Sequence, residues 1–343
     1  MKVLVASALI LVGSCAQIRH SEKINNLKNS IIYKDQTIVK KYLNTINVQE
    51  LKQHLEEVSS DKYNGRMTGE EGHNQVCDYI RTQYKNLNIS APESTPNYYQ
   101  KVPKDALPND LNDSQNIIAY IKGSEFPDEY VYISAHSDHE GVIDGQIYNG
   151  ADDNGSGTSA VLEMAEAFSM AKKDGYPPKR SIVFLHVTAE EVGLYGSRYY
   201  TENPVFPLEN AIANLNIDMI GRVDNRHTDD ENYIYLIGSN KMSTELDFIA
   251  KKANETYTHL NLDYKYNEDR DPNRYYYRSD HYNFATKGVP VIFFFNGEHE
   301  DYTKPTDTAD KINYPLLAKR TKLIFATAWY LANSETPLKK EII

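Results

Sequence analysis

Tyr130–Gly157 reads YVYISAHSDHEGVIDGQIYNGADDNGSG, and its reading decides the fold class and points to the chemistry. An apolar, β-branched run ends abruptly in His136, Asp138 and His139, and a glycine-rich turn carrying Asp152 and Asp153 then opens a helix. A strand that stops at imidazole and carboxylate is where α/β sheets place their ligands. Neutral imidazole and carboxylate suit a zinc ion, and Asp138, two residues from His136, could orient that imidazole through its other nitrogen. On this stretch alone, a polar loop at a sheet edge is the competing reading.

Further apolar runs extend the pattern. Ser181–Val187 leads into Glu190 and Glu191, Ala211–Ile217 into Asp218, and Val289–Phe295 into Asn296, Gly297, Glu298 and His299. Helical spacing predicts helices over 48–58, 76–87, 158–170, 242–254 and 316–332. Asn116–Ile121 is expected to be a strand, joined to Tyr130–Ala135 through 123–128 by a hairpin or a lead into the sheet. Gly65-Arg66-Met67-Thr68-Gly69 is a turn signal. The fold class expected is α/β, with a mixed, largely parallel central sheet and helices on both faces. Leu262–Arg278, rich in tyrosine and charge, reads either as a long functional loop or as a packed surface insertion.

The 343 residues suffice for one sizeable core. A net charge of −11 argues against nucleic acid as a partner and suits a protein that holds divalent cations. Twenty-seven tyrosines against one tryptophan fit either a cleft of amphipathic rings or a tyrosine-rich sheet. The first residues, MKVLVASALILVGSCAQ, carry a lysine, an apolar run too short to span a bilayer, and small residues before Cys15. Val12-Gly13-Ser14-Cys15 resembles a bacterial lipobox, with ordinary cleavage near Ala16 as the alternative. The domains expected are a signal at 1–15, a polar, loosely packed tether at 16–45, and a single catalytic domain at 46–335. The expected location is outside the cytoplasm, anchored to a bacterial membrane through a lipid on Cys15. Cys77 then lacks a partner and reads as a buried, inert thiol.

Four strands ending in His, Asp or Glu at one edge of a parallel sheet would crowd Asp153, Glu191 and Asp218 around His136. Without a cation these carboxylates would repel one another and protonate in part, so a divalent metal is the simplest answer. The Glu190-Glu191 doublet can split its duties, one carboxylate ligating and the other acting as general base on a water. Taken alone, such a doublet is more commonly a solvated acidic pair.

These motifs together resemble a known family. HSDH after a strand, NGADDNGSG, AEEVGLYGS, NIDMIG, RSDHYNF and GVPVIFFF followed by PTDT stand in the order and spacing of the M28 zinc peptidases, aminopeptidase type, over roughly 51–331. The resemblance implies a pair of zinc ions, with His136 and Asp218 on one, Glu191 on the other, and Asp153 bridging. It implies Glu190 as general base, Asp138 as a supporting residue behind the ligands, and a peptide after Asp153 that is often cis; Asp280 reads as a supporting or substrate-side residue. One departure stands out, because the family's last ligand, a His four residues before the Asp of the terminal DT pair, is Thr303 here. His299 is the nearby candidate to replace it, or else a solvated or substrate-side histidine, so one or two zinc ions are expected.

The implied activity is removal of amino-terminal residues from peptides. A carboxypeptidase or glutaminyl cyclase on the same fold, and a non-catalytic peptide-binding lipoprotein, are the alternatives. Ser279-Asp280-His281 superficially resembles a serine triad, but the metal constellation already accounts for hydrolysis. His186 is expected to be a core histidine, while His20, His54, His73, His227 and His259 are expected to be solvated.

Overall fold

A computed structural model describes residues 18–108 and 110–343. Helix α1 covers residues 18–30, followed by α2 (Gln36–Leu43), α3 (Val48–Val58) and α4 (Glu71–Asn86). Next come β1 (Tyr99–Val102), β2 (Ser114–Ile121), β3 (Phe126–His136), β4 (Gly141–Ile143), β5 (Gln146–Tyr148), α5 (Gly157–Lys173) and β6 (Arg180–Val187). The chain continues through α6 (Tyr195–Glu202), β7 (Ala211–Ile217), β8 (Tyr233–Ile237), α7 (Thr244–Ala253), β9 (Asn261–Asp263), α8 (His281–Thr286), β10 (Val291–Phe295) and α9 (Tyr314–Asn333).

Eight strands form one sheet in the order β1-β2-β6-β3-β7-β10-β8-β9. Within it β6, β3, β7 and β10 are parallel, the mixed and largely parallel α/β class expected. Alternation along β3 explains its central place. Val131, Ile133 and Ala135 join the core beneath α5 and α9, whereas Tyr130 and Tyr132 join a second core with Phe284 of α8 and Tyr200 of α6. Both faces are therefore covered, and the carboxyl ends of the parallel strands are left as the open edge.

One alternative is decided and one expectation corrected. β2 and β3 do not form a hairpin, because β6 lies between them, antiparallel to β2 and parallel to β3. The connector pairs instead with the chain leading into β6, Ser124 N–H donating to the Pro178 carbonyl at 2.9 Å and Phe126 N–H to that of Lys179 at 2.8 Å. The stretch 16–45 is also more than a tether, since Leu27, Ile31, Tyr33, Val39, Tyr42 and Leu43 are buried. The Tyr33 hydroxyl donates to the Ala326 carbonyl of α9 at 2.9 Å, and Tyr42 stacks on Trp329. Lysines 34, 40 and 41 are exposed while apolar residues at helical spacing face inward, so a lysine-rich composition conceals an amphipathic face. The signal at 1–15, with Cys15, lies outside the described residues. Among the described residues no helix is long and apolar enough to cross a membrane.

Tyrosines serve mainly as packing with a polar tip. Tyr84 contacts His186 Nε2 at 2.6 Å, and Tyr200 donates to the Tyr132 hydroxyl at 3.1 Å. His186 is thus a core residue bonded through Nε2, with Nδ1 left without a partner, and burial lowers its pKa to about 3. Cys77 is fully buried, and desolvation raises its thiol to about 12, which keeps it inert at neutral pH.

Candidate metal centre

Parallel register delivers the acids to one place. His136 lies opposite Val187, and Ser134 opposite Asn216, so the residues following β6 and β7 emerge beside the end of β3. There the chain turns sharply, with Ala189 before Glu190 at φ 56° and Met219 after Asp218 at φ 58°. Left-handed backbone at a residue with a Cβ costs about 1–2 kcal/mol, and it persists where surrounding structure holds a side chain in a working position.

The third contributor is the turn before α5. The Asp307 carboxylate accepts the backbone N–H of Asp152 at 2.9 Å and of Asp153 at 3.1 Å. Asn154 ties this turn to the end of β7, donating to the Ile217 carbonyl at 2.8 Å and accepting from Met219 N–H at 3.2 Å. Gly157 lets α5 begin against that strand, because a Cβ there would lie 2.7 Å from the Ile217 carbonyl oxygen. The Asp153–Asn154 peptide is cis.

The side chains converge in overlapping groups. His136 Nε2 lies 3.2 Å from Asp153 Oδ1 and 3.3 Å from Asp218 Oδ1, and His139 Nδ1 lies 2.6 Å from Glu191 Oε1. Donor atoms of His136, Asp153 and Asp218 sit within 4.8 Å of one another, as do those of His139, Asp153 and Glu191, and those of His136, Glu190 and Glu191. Asp153 is common to the first two groups. A tetrahedral zinc ion bonded at about 2.0–2.2 Å holds its donors roughly 3.3 Å apart, which is the spacing around His136. The donor set fits such an ion, and around His136 the spacing does too, whereas His139 Nδ1 and Glu191 Oε1 stand at hydrogen-bond distance.

Electrostatics point the same way. Burial raises Asp153 to about 6, with repulsion from Glu191 adding to it, and burial raises Glu191 to about 8. Glu190 is pushed well above the usual carboxylate range by desolvation, and His136 only partly offsets this. Burial would lower His136, yet Asp218 and Glu190 override it and raise the imidazole well above its usual value. Burial takes His139 down to about 4, so its ring is neutral at pH 7. A site that must protonate its own acids to relieve repulsion is matched to a divalent cation.

Supporting contacts fix these groups. His136 Nδ1 donates to the Asp138 backbone carbonyl at 3.2 Å, while the Asp138 carboxylate lies 3.8 Å away. That carboxylate accepts from Thr68 Oγ1 at 2.9 Å and from Glu190 N–H at 3.3 Å. Asp138 thus orients His136 mainly through its carbonyl and uses its side chain to seat Glu190. Ser279 Oγ donates to Asp218 Oδ2 at 2.6 Å, which occupies the hydroxyl and rules out a serine triad. Asp280 is buried with neither oxygen hydrogen-bonded, and burial raises it to about 7. His281 stacks on Phe293.

His299 stands apart from the candidate groups: its Nε2 lies 3.2 Å from Asp152 Oδ2 without a hydrogen-bond partner, and its Nδ1 accepts from Asp301 N–H at 3.3 Å. Among the described residues it joins none of the candidate ligand groups. Thr303 is exposed, and its hydroxyl donates to the Tyr302 carbonyl.

Two residues escape the sequence reading. His139 lies in the quoted HSDH run, and only the fold shows that it faces Glu191. Arg66, hidden in a turn signal, is buried and donates to the carbonyls of Val58, Ser137, Asn149 and Gly150, pinning the loops that carry the site. His73 is likewise buried rather than solvated, 3.0 Å from Ser137 Oγ.

The cluster opens into a small cleft of about 40 Å³. Asp153, Glu190, Glu191 and Asp218 form one wall, Met219, Phe293 and Phe295 an apolar one, and Tyr275, Arg278 and Tyr302 complete it. The tyrosine-rich stretch therefore satisfies both of its readings, because Tyr266 and Tyr275 pack against one another while Tyr275 and Arg278 face the cleft.

Residues 116–328 match the model of Peptidase family M28. The chain is 28% identical over 260 residues to a probable zinc metalloprotease of Pyricularia oryzae, covering 64% of this chain and 50% of that protein. It spans about half the length of the curated relatives that it matches over most of its own. Its backbone resembles the LapA aminopeptidase of Legionella pneumophila with a TM-score of 0.68 at 21% identity, covering 89% of this chain and 76% of that one. A glutaminyl cyclase of Porphyromonas gingivalis gives a TM-score of 0.64 at 16% identity, covering 82% and 97% respectively. At these identities the structural likenesses establish the fold.

Proposed function

We propose that this chain, which belongs to peptidase family M28, is a zinc-dependent aminopeptidase that removes amino-terminal residues from peptides. The observation that carries this reading is the placement of Glu190 beside two overlapping ligand groups, His136–Asp153–Asp218 and His139–Asp153–Glu191, on one cleft. Zinc there would polarise the scissile carbonyl and acidify a water. Glu190 takes the proton of that water on a carboxylate oxygen and returns it to the leaving amine. Asp138 keeps Glu190 in place through its backbone N–H, and Ser279 keeps Asp218 turned toward the cleft.

The cation on the cleft, Arg278, has Glu298 3.2 Å away, which weakens its pull on an anion. This favours an aminopeptidase over a carboxypeptidase, whose substrate ends in a carboxylate. Two overlapping ligand groups likewise favour it over a one-zinc cyclase. Comparing a free-amine peptide with its amino-acetylated twin tests the reading. Cleavage of the free form alone is expected, and equal cleavage of both would refute it.

Export and lipid attachment at Cys15 belong to the same proposal and rest on the sequence of residues 1–17. Radiolabelled fatty acid should enter the wild-type chain and not Cys15→Ser; equal labelling would remove the anchor.

A further inference from the structure

We propose that His139 is the nitrogen ligand of the second zinc ion, bound through Nδ1 beside Asp153 and Glu191. This rests on the zinc reading above and assigns a ligand that the sequence comparison leaves open at Thr303.

The ring is placed for that task. It is buried, and its one hydrogen-bond partner is Glu191 Oε1, a member of the same candidate group, while Nε2 has none. Its backbone is fixed by an N–H bond to the Arg66 carbonyl at 3.1 Å. The ring packs directly on Gly150, where a Cβ would stand 2.5 Å from its Cγ and Cδ2, and this close approach brings it against the turn that carries Asp153. Both histidines of the site then come from one strand end, His136 reaching the ion shared with Asp218 and His139 the ion shared with Glu191.

The other nearby imidazoles lie outside the group that holds Asp153 and Glu191. His299 faces Asp152 and Asp301 N–H, His73 is held by Ser137 and Ser114, and His281 lies flat on Phe293. Among the described residues, His139 is the histidine that groups with both Asp153 and Glu191.

A ligand and a mere hydrogen-bond support for Glu191 behave differently under substitution. Asn at 139 keeps an N–H that can reach Glu191 but is a poor zinc ligand, whereas Cys is a strong one. The full chain would be equilibrated with buffered free zinc and its metal content and affinities measured for wild type, His139→Asn and His299→Ala. Wild type and His299→Ala should each hold two zinc ions. His139→Asn should keep the first and bind the second at least roughly a hundredfold more weakly, the upper end of what loss of an outer-shell partner alone costs. Two ions at wild-type affinity in His139→Asn, or loss of an ion in His299→Ala, would overturn the assignment.

Cobalt-loaded His139→Cys gives a readout independent of affinity. A near-ultraviolet sulfur-to-cobalt charge-transfer band, absent from the wild type with its buried Cys77, is expected, and its absence in cobalt-loaded protein would contradict direct ligation. Zinc bound in a His139-dependent way without peptide cleavage would sink the aminopeptidase reading and leave this one standing. Peptide cleavage with both ions retained in His139→Asn would do the reverse.

Discussion

Glu163 lies in α5 against α3, away from the cleft, and it is the most informative place to perturb stability. Its side chain is 1% exposed, Oε1 has no hydrogen-bond partner, Oε2 accepts only a long bond of 3.4 Å from Asn47 N–H, and His54 Nε2 stands 3.8 Å off. Burial, reinforced by repulsion from Glu50, raises its pKa from 4.5 to about 8. The folded protein therefore binds this proton more tightly than the unfolded chain does. Its stability is full below about pH 4.5, declines as pH rises toward 8, and levels off above that. At about 1.4 kcal/mol per pH unit, the cost by pH 7 is on the order of 3 kcal/mol. Glu163→Gln preserves shape and an oxygen for Asn47 while removing the charge, so it should stabilise the fold by about that amount at pH 7 and scarcely at pH 4.5. Paired urea titrations of wild type and variant across pH 4.5–8 measure it. A variant no more stable than wild type at pH 8, or a difference that does not change with pH, would refute the reasoning.

Other outcomes follow from the same contacts. Deleting residues 1–46 removes Ile31, Tyr33, Val39, Tyr42, Leu43 and Ile46 from the core, each worth about 1.5–3 kcal/mol, so the remainder should fail to fold cooperatively in a denaturant titration. Because Asp153 titrates at about 6 and Glu191 at about 8, the metal-free protein should lose stability as pH rises from 5 to 8. The gain in melting temperature on adding zinc should accordingly be larger at pH 8 than at pH 5. Asp307→Ala leaves the N–H groups of Asp152 and Asp153 without their acceptor and should cost about 2–5 kcal/mol by the same titration, with weakened zinc binding.

The parallel strands were legible because each is an apolar run closed by a charged or polar stop, as in Ser181–Val187 before Glu190 and Glu191. The ligand cluster was legible because such strands share one open edge. What escaped depends on long-range geometry. β8, YIYLI at Tyr233–Ile237, is apolar enough to be a strand, but no acid marks its end. The α2 segment hides its apolar face among lysines. Arg66 resembles any arginine in a turn until four carbonyls, from the end of α3 and from the loops after β3 and β5, converge on it. His299 invited a ligand role by its nearness in sequence to Thr303, whereas the fold places it beside Asp152, outside the candidate groups. His139 lay in the opening motif, and nothing in a linear pattern says that its ring would meet Glu191, a residue 52 positions later.

On the proposed function, Glu190 moves the proton at a zinc site that cleaves amino-terminal residues. Zinc content and release of an amino-acyl chromogenic amide, measured together on wild type and Glu190→Gln, decide whether it does. Chelator-sensitive release by the wild type is expected, and in Glu190→Gln unchanged zinc with turnover reduced by about 10²–10⁴, the contribution typical of a general base. Near wild-type turnover in zinc-loaded Glu190→Gln, or a zinc-loaded wild type that releases nothing from any free-amine substrate, would contradict it.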